Sequence, residues 1–242
     1  MMKTGKVALV FGGSRGIGAG AVARFAKDGF RVAFTYASRE DKANEVVAAI
    51  TKAGGEALAI KADSAEVGQI RGAVEQAVAR FGKIDAVLVN AGIFSLGTID
   101  AVTVEELDRM LSVNVRGVYL AIQATVPHLK DGGRVITIGS NVALRTGMAG
   151  ASVYQFTKAS LGAMVKGIAL DLAPRRITVN NVQPGPTETD ITAGGLEAIA
   201  TKSPLNRLAS PAEIAGLVAY IASDEAGYMT GSSLTIDGGW TL

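Results

Sequence analysis

A chain of 242 residues, 48% hydrophobic and 19% charged, is long and apolar enough to bury a substantial core as one large domain or two small ones, which excludes a disordered tract. A net charge of +2 with no Lys/Arg cluster argues against a nucleic-acid partner, and the lack of cysteine removes disulfides, thiolate chemistry and thiolate metal sites. The single histidine, His128, nearly closes off histidine triads and zinc cages; it is expected at a helix end, and no metal site is expected.

In chain order, Val7-Ala8-Leu9-Val10-Phe11 is a wholly apolar run, the pattern of a strand buried on both faces of a parallel sheet. It is too short for a signal peptide, and the most apolar later stretch, Ile214 to Ala222, is too short for a membrane span. A cytoplasmic location without a membrane partner is therefore expected. A glycine-rich turn follows the first strand, then a helix from about Ala19 to Lys27. Strands are expected at 31–36, 58–61, 86–90, 134–138, 177–182 and 233–236. Helices are expected at 39–52, 67–81, across 104–126, from Tyr154 onward, and at 212–222. Strands alternating with helices of this length imply βαβ units. The expected fold is α/β: one doubly wound domain over residues 1–242, a parallel sheet of about seven strands with helices on both faces.

Gly12, Gly16 and Gly18 lie in Gly12-Gly13-Ser14-Arg15-Gly16-Ile17-Gly18, between the first strand and the first helix. A dinucleotide pyrophosphate needs a tight turn there, close backbone approach, and the free N–H groups of a helix N-terminus. The spacing is GxxxGxG rather than GxGxxG. An NAD site places a carboxylate at the end of the second strand, but here Phe34-Thr35-Tyr36-Ala37-Ser38-Arg39 offers none before Glu40. Arg15 and Arg39 would flank a 2′-phosphate, with Ser38 as an uncharged donor, so NADP(H) is expected ahead of NAD(H).

Tyr154 and Lys158 stand four apart at the start of a long apolar helix, which puts them on one face, one turn apart. An ammonium beside a phenol favours the phenolate and pulls its pKa below about 10, which suits proton transfer.

Taken together, these residues resemble the short-chain dehydrogenase/reductase family over essentially the whole chain. The glycine turn is similar to the family's glycine motif, and Asn90-Ala91-Gly92 to the loop beside the cofactor ribose. Asp63, with Ser64 beside it, follows the third strand where the family uses an aspartate at the adenine. Val113-Asn114-Val115 carries the family's catalytic asparagine, and Ile138-Gly139-Ser140 its catalytic serine. Pro184-Gly185-Pro186-Thr187-Glu188-Thr189 resembles the loop that holds the nicotinamide, with Thr189 near the carboxamide; Gly231 and Ile236-Asp237-Gly238-Gly239 match the C-terminal signature.

The resemblance implies catalysis by Asn114, Ser140, Tyr154 and Lys158. It implies a cofactor held by Gly12, Ser14, Arg15, Gly16, Ile17, Gly18, Tyr36, Ser38, Arg39, Asp63, Ser64, Asn90, Ala91, Gly92, Tyr154, Lys158, Pro184, Gly185, Thr187 and Thr189. It also implies a substrate lid at about 187–208 and a homotetramer. The nearest branch is similar to the 3-oxoacyl-acyl-carrier-protein reductases and their relatives acting on small ketones. The expected activity is NADPH-dependent carbonyl reduction, or alcohol oxidation, on a small ketone or aldehyde. Two alternatives stay open: a 3-oxoacyl-acyl-carrier-protein reductase, with Arg116 and Arg145 at the mouth, and a non-catalytic regulator that binds a cyclic dinucleotide. Phe94, Ser95, Leu144, Met148 and Val153 are the candidate substrate lining. Three departures stand out: Phe11 and Val89 replace the family's usual polar residues, and the Ser140–Tyr154 segment is about one residue long.

Overall fold

The computed structural model describes residues 5–190 and 200–242. Seven strands form one all-parallel sheet in the order β3-β2-β1-β4-β5-β6-β7: β1 (Val7–Phe11), β2 (Arg31–Tyr36), β3 (Ala57–Lys61), β4 (Ile84–Val89), β5 (Leu129–Ile138), β6 (Thr178–Pro184) and β7 (Ser233–Ile236). The connecting helices are α1 (Gly16–Lys27), α2 (Glu40–Lys52), α3 (Val67–Phe81), α4 (Val104–Leu111), α5 (Val118–Thr125), α6 (Ser152–Leu172) and α7 (Pro211–Ala222).

Side chains alternate across a strand, so each strand of β1 type serves two cores. Val7, Leu9 and Phe11 face the layer of α3, α5 and α6, while Ala8 and Val10 face α1, α2 and α7. This double burial is why the strands read as continuous apolar runs. Elements fall where the patterning places them, with two informative differences. The stretch expected to be helical across 104–126 is divided by one π-helical stretch, Ser112–Gly117, which contains Asn114. β5 begins at Leu129, five residues before the expected start, because its polar opening Lys130-Asp131-Gly132-Gly133 hides it from an apolar reading. His128 closes a short 3₁₀ turn after α5, as expected of a helix-end residue.

The strand order reverses between β1 and β4, which opens a crevice at their C-terminal ends. The glycine turn leaves β1 there and Asn90-Ala91-Gly92 leaves β4. Among the described residues, no helix is long and apolar enough to cross a membrane.

Candidate active site

The glycine turn is held from two sides, by Thr35 of β2 and by Asn90 after β4. The Gly12 N–H donates to Thr35 Oγ1 (2.9 Å), the Gly12 carbonyl accepts from Asn90 Nδ2 (2.7 Å), and the Gly13 N–H donates to the Thr35 carbonyl (2.8 Å). A hydroxyl tether is thus present despite Phe11: it comes from β2, and Phe11 itself is buried core. A Cβ at Gly18 would lie 1.9 Å from the Gly12 carbonyl oxygen, and Gly16 adopts φ +52°, so neither position accepts a side chain. Sequence reasoning missed Gly13, where a Cβ would lie 2.5 Å from that of Phe34; the doubled glycine was the available signal. α1 opens with no capping bond from its own N-cap side chain and no acidic residue in its first turn, an end suited to an anion. This cradle fits a pyrophosphate. Ser14 is half-buried in the turn, and Ile17 packs on the core.

At the end of β2, Tyr36 is buried, whereas Ser38 and Arg39 are exposed. Arg39 forms a two-pronged pair with Asp41 (2.9 and 2.6 Å), which holds that carboxyl well below its ordinary range. Arg15 is paired with Asp190. After β3, Asp63 Oδ1 accepts the Ala65 N–H (2.9 Å), and the Ser64 carbonyl presses so closely on Gly117 that a Cβ there would lie 2.3 Å away. Ser64 therefore reaches the π-helical stretch that carries Asn114.

Asn114 is fully buried. Its amide oxygen accepts from the Ile93 N–H (2.8 Å), and its nitrogen donates to the Ile93 carbonyl (2.9 Å) and Thr157 Oγ1 (3.2 Å). Thr157 in turn donates to the Tyr154 carbonyl (2.8 Å). Thr157 was not singled out from sequence; its partner lies 43 residues away, and spacing along one helix cannot reveal that. A Cβ at Gly92 would lie 3.1 Å from Lys158 Nζ and 3.3 Å from Asn114 Oδ1, so Gly92, Lys158 and Asn114 converge on one point. Lys158 is 4% exposed, and its ammonium donates to the Ile138 carbonyl (2.9 Å). Burial lowers its pKa to about 8.

Ser140 caps the end of β5. Its Oγ accepts the Val142 N–H (3.3 Å), and its hydroxyl acts on the Tyr154 phenol, lowering that group's pKa. The structure thus brings Asn114, Ser140, Tyr154 and Lys158 together. It does not reproduce the expected lowering of the phenol: enclosure of the hydroxyl pushes the Tyr154 pKa above its ordinary value, and the Ser140 hydroxyl offsets this only partly. The Lys158 ammonium lies 5.9 Å from the Tyr154 ring centre and points to the Ile138 carbonyl instead of the phenol oxygen.

The Pro184 loop faces this group across the crevice. The Gly185 N–H donates to the Ile236 carbonyl (2.9 Å), and Thr187 Oγ1 donates to the Gly185 carbonyl (2.9 Å). Thr187 also bridges Ala209, pinning together the two ends of the expected lid segment. Residues 191–199 of that segment lie outside the described residues. Thr189 packs on the glycine turn, its Cγ2 3.0 Å from where a Gly16 Cβ would sit. On the substrate side, Phe94 meets Tyr154 edge to face at 4.8 Å, and the Gly97 N–H donates to the Gly150 carbonyl (2.9 Å), tying the two surrounding loops together. Leu144 and Met148 are exposed, whereas Ser95 and Val153 are half-buried. A cavity of about 220 Å³ lies at the opposite end of the sheet, but its charges are paired across it, as in Lys6–Asp224 and Lys130–Asp85 (3.0 Å each).

Residues 12–241 match the family model described as enoyl-(acyl carrier protein) reductase. The chain belongs to the short-chain dehydrogenase/reductase family. Its members are oxidoreductases, and this chain is one that acts on CH–OH groups. A solved short-chain dehydrogenase/reductase from Serratia marcescens is 49% identical, with each chain covered completely and a TM-score of 0.97. A short-chain dehydrogenase from Burkholderia cenocepacia, solved in complex with NADP, is 42% identical at the same full coverage, with a TM-score of 0.96. Among curated relatives, versicolorin reductase 1 of Dothistroma septosporum is 39% identical over 97% of this chain and 95% of its own.

Proposed function

We propose that the protein is an NADP(H)-dependent carbonyl reductase acting on a small ketone or aldehyde, with Tyr154 as the general acid in reduction and the general base in alcohol oxidation. The observation that carries this reading is the convergence of buried Lys158 and Asn114 on Gly92, with Thr157 linking Asn114 to the Tyr154 backbone and Ser140 acting on the Tyr154 phenol. The NADP-bound relative and the reductase relative support the cofactor and the direction.

The cofactor would supply a hydride to the carbonyl carbon. Negative charge then grows on the carbonyl oxygen, where the Ser140 hydroxyl positions it and Tyr154 donates its proton. A phenol pKa raised by burial keeps that proton in place at neutral pH. Lys158, with Gly92 alongside, would hold the nicotinamide ribose, and its pKa of about 8 lets it exchange protons near physiological pH. Asn114, fixed by Ile93 and Thr157, would hold the water that feeds Lys158. Arg15, Ser38 and Arg39 would face the 2′-phosphate, Asp63 the adenine side, and Thr187 and Thr189 the nicotinamide.

The half-buried and exposed apolar lining at Phe94, Leu144, Met148 and Val153 favours a neutral substrate. A carrier-protein-bound substrate is the second reading. It has Arg116 at the surface, but Arg145 is engaged by the Leu242 carbonyl (2.8 Å). Assembly as a homotetramer is supported by the exposed Phe156 and Leu170 on α6. The test is loss of NADPH absorbance with a panel of ketones, aldehydes and β-ketoacyl thioesters. Turnover of neutral ketones is expected. Silence across the panel with tight binding of a cyclic dinucleotide would overturn the enzyme reading in favour of the regulator.

A further inference from the structure

Arg15 and Arg39 are the two cations placed to receive a 2′-phosphate, and both already hold carboxylates. Their partners differ in origin. Asp41 sits two residues from Arg39, at the start of α2, and is also held by the Lys42 backbone N–H. It is a local helix-end residue. Asp190 comes from the far side of the crevice, 175 residues from Arg15, at the end of the Pro184 loop. Its neighbour Thr189 packs on Gly16 in the glycine turn, so the carboxylate is delivered beside the cradle. Asp190 also acts electrostatically on Arg39. The Arg15–Asp190 pair is solvent-accessible, with side chains 47% and 69% exposed, so the two ends separate easily.

We infer that Asp190 is a specificity-tuning residue that competes with the cofactor 2′-phosphate for Arg15, so that a phosphorylated dinucleotide must displace a carboxylate to bind while an unphosphorylated one need not. The inference rests on the NADP(H) reading above. A phosphate carries more charge and more acceptor oxygens than a carboxylate, so it wins the exchange, but its affinity is reduced by whatever the internal pair contributed. The consequence is moderated NADP(H) binding and faster release.

The experiment is titration of NADPH and NADH by fluorescence against the unmodified chain, Asp190→Asn, Arg15→Gln and the double variant. Asp190→Asn is expected to tighten NADPH about two- to fivefold, the range of an exposed ion pair, and to leave NADH unchanged. The gain should vanish in the Arg15→Gln background and shrink at high salt. Unchanged or weakened NADPH binding by Asp190→Asn, or equal tightening of NADH, would overturn the inference alone. Equal affinity of the unmodified chain for NADPH and NADH, with no loss in Arg15→Gln, would overturn the cofactor reading and this inference with it.

Discussion

The proposed catalytic centre and the proposed phosphate-selecting edge lie in the same crevice but are built on opposite physical terms. Asn114, Thr157 and Lys158 are buried, and each is fixed by short hydrogen bonds to backbone or to one another. Arg15 and Arg39 are about half exposed and paired with carboxylates that are more than half exposed themselves. A buried polar group left without its partner costs about 1–3 kcal/mol, whereas an exposed ion pair contributes about 0–1 kcal/mol. The centre is therefore geometrically over-determined, as proton transfer requires, while the edge is exchangeable, as a ligand that must enter and leave requires.

Substitutions should separate the two regions by size of effect. Tyr154→Phe should reduce turnover by about 10²- to 10⁴-fold with NADPH binding intact, measured by steady-state rates beside a cofactor titration; near-normal turnover would remove Tyr154 as the acid.

Lys158→Met should also abolish most activity while raising stability at pH 7 by up to about 3 kcal/mol, because it removes a buried charge whose pKa is lowered from 10.5 to about 8. The sign is set by proton counting: between those two values the unfolded chain holds a proton that the folded one has lost. The penalty is fully present below pH 8 and fades as the pH rises to 10.5, so the stability difference between the two proteins should narrow over that window. Denaturant melts at several pH values check this.

Gly18→Ala should destabilise by about 1–3 kcal/mol and abolish NADPH binding, since the new Cβ would strike the Gly12 carbonyl. Calorimetry with and without cofactor reads both effects.

Thr157→Val should lower kcat about tenfold with an unchanged KM for NADPH, and Thr157→Ser should restore it, because only the hydroxyl positions Asn114 and the Tyr154 carbonyl. A purely structural role would shift the melting temperature without that split.

Smallest of all, Arg39→Gln should weaken NADPH no more than about fivefold and leave NADH unaffected.

Much of this contrast was legible before the structure. The run Val7 to Phe11 read as a doubly buried strand because both of its faces meet helices. The three glycines read as a phosphate turn because only glycine tolerates those approaches. Tyr154 and Lys158 read as neighbours because helical periodicity is local. What was misjudged was the consequence of that neighbourhood. The spacing suggested a lowered phenol pKa, but Lys158 turns to the Ile138 carbonyl, and burial raises the phenol instead. The early start of β5 and the role of Thr157 were likewise invisible. One depends on pairing between β4 and β5, the other on contact between α6 and the π-helical stretch.

By itself, the sequence determined what short-range periodicity and backbone sterics govern: the alternation of strands and helices, the glycine cradle, and the Tyr154–Lys158 spacing, while Asn114 and Ser140 were implied only by the family resemblance. Only the tertiary structure decided which groups share a dielectric environment and which charges meet. Burial fixes the proton affinities of Tyr154 and Lys158, and loop closure brings Asp190 to Arg15 across 175 residues. Both are properties of packing between distant segments, which no local pattern encodes.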